Sequence, residues 1–145
     1  MKYLCTNCNY VFDKAIGDKE EGIAIGAEID KCPVCKEYDV FQGIKEEINY
    51  ISGDDLLSLE IDHYPEIEIK KDKIIVTVGN EIHPMGLEHR IAAVGLYDEY
   101  GDLVKVNYLE LETEAVTEFD FDNLDEFEIR VNCSVHGLWA RKFVN

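Results

Sequence analysis

The chain has 145 residues, 46% of them hydrophobic, which is enough for a packed core in one domain or two small ones. Its 14 basic and 31 acidic residues leave a net charge of −17, which excludes nucleic acid as a partner, because phosphates need lysine and arginine to neutralise them. No apolar run approaches the roughly 20 residues of a membrane span. The opening MKYLCTNC lacks the apolar stretch of a secretory signal, so no membrane association and a cytoplasmic location are expected.

The N-terminal stretch to residue 43 is rich in turns, with Gly17, Gly22 and Gly26, and holds too little apolar surface to fold well without a ligand. Residues 44–55, including Lys45-Glu46-Glu47 and Ser52-Gly53-Asp54-Asp55, read as a linker. From Ile67 the pattern is β. Lys73–Gly79 (KIIVTVG) is rich in β-branched residues. Ile91–Tyr97 and Leu103–Leu109 flank Glu99-Tyr100-Gly101-Asp102, a hairpin signal with glycine in the turn. Ala115–Phe121 alternates, and so do Phe127, Ile129, Val131 and Cys133 against Glu128, Arg130 and Asn132. Short strands separated by turns predict a mainly β chain with a β-sandwich over 56–145, and no amphipathic helix is expected. The negative charge is uneven: 6 basic and 8 acidic residues in 1–45 against 8 and 23 in 46–145, a net of −2 and −15. Most of it reads as a solvated acidic surface.

Five cysteines, an odd number, speak against a disulfide framework. Cys5-Thr6-Asn7-Cys8 and Cys32-Pro33-Val34-Cys35, with 23 residues between them, form two knuckles able to hold one metal in a tetrahedral sulfur cage. The geometry serves iron and zinc alike. Cys5–Asp13 (CTNCNYVFD), Gly17-Asp18, Gly22-Ile23-Ala24, Gly26, the second knuckle and Phe41 resemble rubredoxin over about the first 41 residues. That resemblance implies iron on Cys5, Cys8, Cys32 and Cys35 and one-electron transfer. Two features depart from it. Asn9 stands where a glycine usually follows the second cysteine. Only Ile29-Asp30-Lys31 stand where an acidic segment with a tryptophan usually precedes the second knuckle. A structural zinc ribbon therefore stays open as an alternative.

The only four histidines and the unpaired cysteine space as His63-x19-His83-x5-His89-x43-Cys133-x2-His136. Alternation points the Cys133 sulfur toward the core at a strand end, and an inert buried thiol is the bland alternative. His136, three residues on, argues for a metal ligand set of four imidazoles and one thiolate, suited to iron, copper or zinc. Glu81–Ile91 (EIHPMGLEHRI), Asn132–Trp139 (NCSVHGLW) and His63-Tyr64-Pro65 resemble superoxide reductase, the neelaredoxin and desulfoferrodoxin family, over roughly residues 56–142.

That resemblance implies an immunoglobulin-like β-sandwich and a mononuclear non-haem iron. His63, His83, His89 and His136 would be its equatorial ligands and Cys133 the axial one. An axial thiolate pushes electron density onto iron. The sixth position, opposite the sulfur, is where superoxide would take one electron and leave with two protons as hydrogen peroxide. Cys133 and His136 are thus the candidate catalytic residues. Backbone N–H groups near Ser134, Val135 and His136 are expected to bond the sulfur, and Trp139 reads as a packing residue.

The family also places a glutamate and a lysine directly before its first histidine. Here those positions are Ile61 and Asp62, and the nearest glutamate is Glu60, one residue out of register. Lys70, Lys71, Lys73 and Arg90 are candidates to replace the missing positive charge. The expected partners are superoxide, an electron donor such as a rubredoxin or its reductase, and a second copy in a homo-oligomer. An iron-binding electron-transfer protein without strong enzymatic activity is the competing reading.

Overall fold

The computed structural model describes residues 2–79, 81–121 and 124–144. The chain divides into two compact units, Met1–Glu47 and Ile48–Asn145.

The first unit is a three-stranded antiparallel sheet with loops. Its strands are β1 (Lys2–Cys5), β2 (Val11–Asp13) and β3 (Phe41–Ile44), in the order β2-β1-β3. Two isolated bridges, Asp18 with Ile23 and Lys31 with Tyr38, fasten the intervening loops. The apolar content is as thin as the sequence suggests: Phe12 and Ala15 are the buried side chains besides Cys5 and Cys32 among the described residues.

The second unit contains β4 (Ile48–Tyr50), a one-turn helix α1 (Ser58–Asp62), β5 (Pro65–Lys70), β6 (Lys73–Val78), β7 (Ile91–Asp98), β8 (Leu103–Tyr108), β9 (Val116–Asp120), β10 (Glu126–Cys133) and β11 (Gly137–Val144). They form a five-stranded sheet, β4-β11-β10-β7-β8, and a three-stranded sheet, β5-β6-β9. Ile74, Val76, Val78 and Phe119 of the smaller sheet share one core with Ile91, Val94, Leu96, Phe127, Ile129 and Val131 of the larger. The unit is therefore a β-sandwich with its core between the two sheets. The strands foreseen in the sequence lie within a residue or two of the observed ones.

Three elements lie outside what the pattern signalled. Residues 48–50, inside the stretch read as a linker, pair in parallel with β11 through Leu138, Trp139 and Ala140. Three residues are too few to show a period. The helix α1 spans five residues, too short for an amphipathic stripe. β11 buries Trp139 and Ala140 consecutively, which breaks the alternation expected of a strand.

Two features of this unit bring loops together at one end. β10 and β11 close a hairpin through Cys133 opposite Gly137, whose φ of +80° suits glycine. At the same end β10 slips register against β7, between Asn132 and Cys133, so Cys133 stands opposite Ile91. A bulge of this kind re-aims a side chain.

Candidate functional site

In the first unit each cysteine knuckle is a tight turn closed by backbone N–H groups. Asn9 donates to the Cys5 carbonyl at 2.9 Å and Lys36 to that of Cys32 at 3.0 Å. Asn9 and Lys36 follow the second cysteine of each knuckle with φ of +66° and +67°. Asparagine enters this left-handed region more readily than most residues, which lets Asn9 replace the usual glycine.

The four sulfurs converge. Cys5 and Cys35 Sγ are 3.7 Å apart, Cys8 and Cys32 Sγ 3.6 Å, and all four lie within 4.8 Å of one another. A tetrahedron with metal–sulfur bonds of about 2.3 Å has edges of about 3.8 Å, so the cage fits one ion. The Cys35 thiol is held down to about 6 by hydrogen bonds from the Asn7 side chain and the Glu37 backbone. Cys8 of the same cage is instead pushed up to about 12, where the lowering effect of the Tyr10 backbone hydrogen bond is outweighed by burial and the neighbouring cysteines.

In the second unit all four histidines and Cys133 meet at the end of the sandwich. Neighbouring ring centroids lie 4.9 Å apart for His63–His83, 4.7 Å for His83–His89, 5.0 Å for His89–His136 and 5.1 Å for His136–His63. The imidazoles thus close a ring in the order 63, 83, 89, 136. The Cys133 sulfur lies 3.7 Å from His83 Nε2 and 3.7 Å from His136 Nδ1. Those two residues are diagonal in the ring, so the sulfur caps it instead of joining its edge. His63 and His83 Nε2 are 3.3 Å apart. Adjacent ligands on an ion with metal–nitrogen bonds of about 2.1 Å would be about 3 Å apart.

Hydrogen bonds orient these rings. His63 Nδ1–H donates to the Leu59 carbonyl at 2.6 Å and His83 Nδ1–H to that of Pro84 at 2.8 Å. Each bond places the proton on Nδ1 and leaves the Nε2 lone pair facing inward. His89 Nε2 is buried with no hydrogen-bond partner, an orphaned acceptor that a metal ion would satisfy. Burial holds the His63 imidazole below its ordinary value and takes His83 down to about 4. Both are therefore neutral, as ligands must be. Burial pushes the Cys133 thiol up, while backbone N–H groups of His136 and Val135 draw it back. The His136 N–H reaches the sulfur at 3.4 Å. The donor set of neutral imidazoles and one N–H-assisted thiol fits a transition metal.

Local structure explains the convergence. α1 ends at Asp62 and delivers His63, whose N–H still bonds Leu59. The Gly79 N–H bonds the Tyr64 carbonyl and the His83 N–H bonds the Val78 carbonyl, which lays the His83 loop against the His63 segment. Gly79, at φ +91°, makes this approach: a Cβ there would meet the Glu81 carbonyl at 2.5 Å and the Asp62 carbonyl at 2.9 Å. Arg90 and Ser134 exchange two bonds, Arg90 N–H to Ser134 Oγ and Ser134 N–H to the Arg90 carbonyl, tying the His89 segment to the Cys133 turn. The sequence marked Gly79 only as the end of a strand and Ser134 only for its N–H.

The remaining candidates are not members of the ring. The Glu60 carboxylate accepts the Leu57 N–H at the start of α1. Ile61 is half-buried and Asp62 exposed, and the Asp62 charge acts on both His63 and His83. Lys70 and Lys73 pair with each other across the far end of the β5–β6 hairpin, while Pro65 and Val78 pair at the near end. That distance is about 17 Å at 3.4 Å per residue. Lys70 also pairs with Glu68, and Lys73 with Glu118 and Asp120. The cations closer to the ring in the chain are Arg90, buried beside His89, and Arg141. Arg141 donates to the Pro65 carbonyl and lies 4.3 Å from the Tyr64 ring centre.

A β-sandwich whose end brings the ligand atoms of His63, His83, His89 and Cys133 within 4.8 Å of one another, with the His136 ring beside them, defines a metal-binding protein with a histidine–cysteine centre. The chain belongs to the desulfoferrodoxin family, whose model matches residues 57–142. It is 32% identical over 77 residues to a desulfoferrodoxin homolog of Methanothermobacter thermautotrophicus, covering 53% of this chain and 60% of that one. A homolog from Archaeoglobus fulgidus is 34% identical over 77 residues, with 53% and 59% covered. The matched part is thus about 60% of the length of these curated relatives. Among solved structures, the superoxide reductase of Treponema pallidum is similar with a TM-score of 0.50 and 28% identity, covering 56% of this chain and 66% of that one. The superoxide reductase of Giardia intestinalis shares the fold, with a TM-score of 0.52, 18% identity and coverage of 58% and 98%. No helix among the described residues is long and apolar enough to cross a membrane.

Proposed function

We propose that the chain is a superoxide reductase. It would reduce superoxide by one electron, with two protons, to hydrogen peroxide at a mononuclear non-haem iron. His63, His83, His89, His136 and Cys133 would hold that iron. The observation that carries the reading is the closed ring of four imidazoles with the Cys133 sulfur equidistant from two diagonal nitrogens. Iron held there would supply the single electron.

The chain's own residues prepare that chemistry. Burial keeps His63 and His83 neutral, and the Leu59 and Pro84 carbonyls fix their tautomers. The His136 N–H holds the Cys133 sulfur in place and moderates its electron donation. Arg90, which follows His89 in the chain, would be the candidate to replace the charge of the usual lysine.

The first unit, with Cys5, Cys8, Cys32 and Cys35 around a second iron, would be the electron donor. Zinc is the alternative ion there. A rubredoxin or its reductase would recharge it, and the assembly would be a homo-oligomer. Residues 1–43 would then be the donor domain and 56–145 the reducing one.

A second reading, an iron-binding electron-transfer protein with weak or no reductase activity, is favoured by Ile61 and Asp62 standing where the family has glutamate and lysine.

Metal analysis with absorption spectroscopy tests the proposal. Two irons per chain, a red four-cysteine chromophore and a blue-green second one are expected. Reduction should bleach the blue-green band and superoxide should restore it with release of peroxide. A bleached centre that superoxide leaves colourless would overturn the enzymatic reading.

A further inference from the structure

The chain has one tryptophan, Trp139, and it contacts the histidine ring in two ways. Its ring lies flat against His63, with centroids 4.9 Å apart and planes 7° from parallel. Its Nε1–H donates to the His136 carbonyl at 3.1 Å. We propose that Trp139 is a positioning residue of the histidine–cysteine centre. It sets the tilt of His63 and couples that ring to the turn carrying Cys133 and His136. The proposal rests on reading this cluster as a metal centre.

Two gaps in the other restraints assign the role. The Leu59 carbonyl fixes one atom of His63, Nδ1, and a single hydrogen bond leaves the ring free to rock about its own axis. A flat aromatic face removes that freedom. The neighbouring imidazoles cannot do so, because His83 and His136 meet His63 at 52° and 75°. The second gap is in the turn. Its ladder to β7 is irregular between Asn132 and Cys133, just before the sulfur. The two peptide groups flanking the His136 Cα are then fixed by separate partners. The N–H points to the Cys133 sulfur, and the C=O accepts the indole N–H. Fixing both sets the direction in which Cys133 and His136 present their ligand atoms. Trp139 is 9% exposed.

The competing account is that Trp139 only fills the core, and two substitutions separate the two. Trp139→Phe keeps an aromatic face and removes the N–H. Trp139→Leu removes both. Orienting residues of this kind typically alter metal affinity by about 10–100-fold. In the full chain loaded with ferrous iron, Trp139→Phe is expected to weaken iron retention at the second centre about tenfold. It should also shift the thiolate-to-iron absorption band after oxidation. Trp139→Leu should approach a hundredfold loss, while the four-cysteine chromophore stays unchanged in both variants. Phe119→Leu, in the core of the same unit, serves as the control: it should lower stability while leaving band and affinity in place. If Trp139→Leu does not fold, Trp139→Phe alone decides. Retention within twofold of the parent and an unshifted band in Trp139→Phe would overturn the proposal.

Failure of the metal reading itself is distinguishable, because the parent chain would then bind no second iron. In that case the lone indole signal of the metal-free chain decides. Slow proton exchange at Nε1 and a shift of its resonance in His63→Ala support the positioning contacts. Exchange as fast as in a free indole overturns them.

Discussion

Gly79→Ala is a severe local test of how this site is built. The residue has φ +91°, and a Cβ there would lie 2.5 Å from the Glu81 carbonyl, 2.9 Å from the Asp62 carbonyl and 3.3 Å from the His83 nitrogen. None of these neighbours is a flexible side chain, so backbone must move. The left-handed conformation costs about 1–2 kcal/mol for a residue with a side chain. Forcing the backbone apart adds about 1–3 kcal/mol, as for overpacked cores. A loss of roughly 2–5 kcal/mol is expected, large against the 5–15 kcal/mol of a typical domain. The movement separates the segment holding His63 from that holding His83, which the Gly79 and His83 backbone bonds now join. Iron retention at the second centre should fall about 10–100-fold. The first unit supplies an internal control, since its four cysteines lie in a separate compact unit. Urea denaturation and iron analysis of the purified variant are the assays. A variant with parental stability and two tightly held irons would refute the reasoning that this glycine makes the approach.

Three further outcomes are expected. Asp62→Lys reverses one charge beside His63; at about 8 Å in water that amounts to roughly 1 kcal/mol, about a fivefold faster reaction with superoxide at low salt, shrinking as salt is added. Stopped-flow rates that are equal for both chains at every ionic strength would count against any steering role of this position. Lowering the pH should destabilise the metal-free chain, because His83 takes up its proton only near 4 when folded but near 6.5 when unfolded. Its contribution, on the order of 3 kcal/mol, is complete above about pH 6.5 and lost as pH falls toward 4. His83→Gln should flatten thermal stability across that window, and an unaltered slope would exclude His83 as the cause. Cys133→Ser should abolish the second chromophore and leave the four-cysteine spectrum intact; a surviving thiolate band would show that another cysteine supplies it.

The sequence made the candidate ligands legible because their chemistry is carried by residue type and spacing. Paired knuckles at Cys5–Cys8 and Cys32–Cys35 need no tertiary knowledge to suggest one cage. The phase of Phe127, Ile129, Val131 and Cys133 foretold which way the thiol points, and all four are buried. Periodicity could not reveal what depends on the meeting of distant segments. Gly79 matters only because the Asp62 and Glu81 carbonyls come within reach of its missing Cβ. Lys70 and Lys73 looked available in the chain, yet strand direction carries them away from the ring and carboxylates pair with them. Trp139 read as packing, which its burial supports, but its two contacts depend on a stacked plane and a turn carbonyl that spacing does not encode. The short elements β4 and α1 fell below the length at which a period can be read.

Pulsed superoxide added to the fully reduced, iron-loaded chain, with peroxide and both chromophores followed in time, tests the central claim most directly. One peroxide per superoxide consumed is predicted. The Cys133-dependent band should appear at once, followed by electron transfer from the four-cysteine unit. Loss of superoxide at no more than its spontaneous rate, with the second centre remaining reduced, would contradict it.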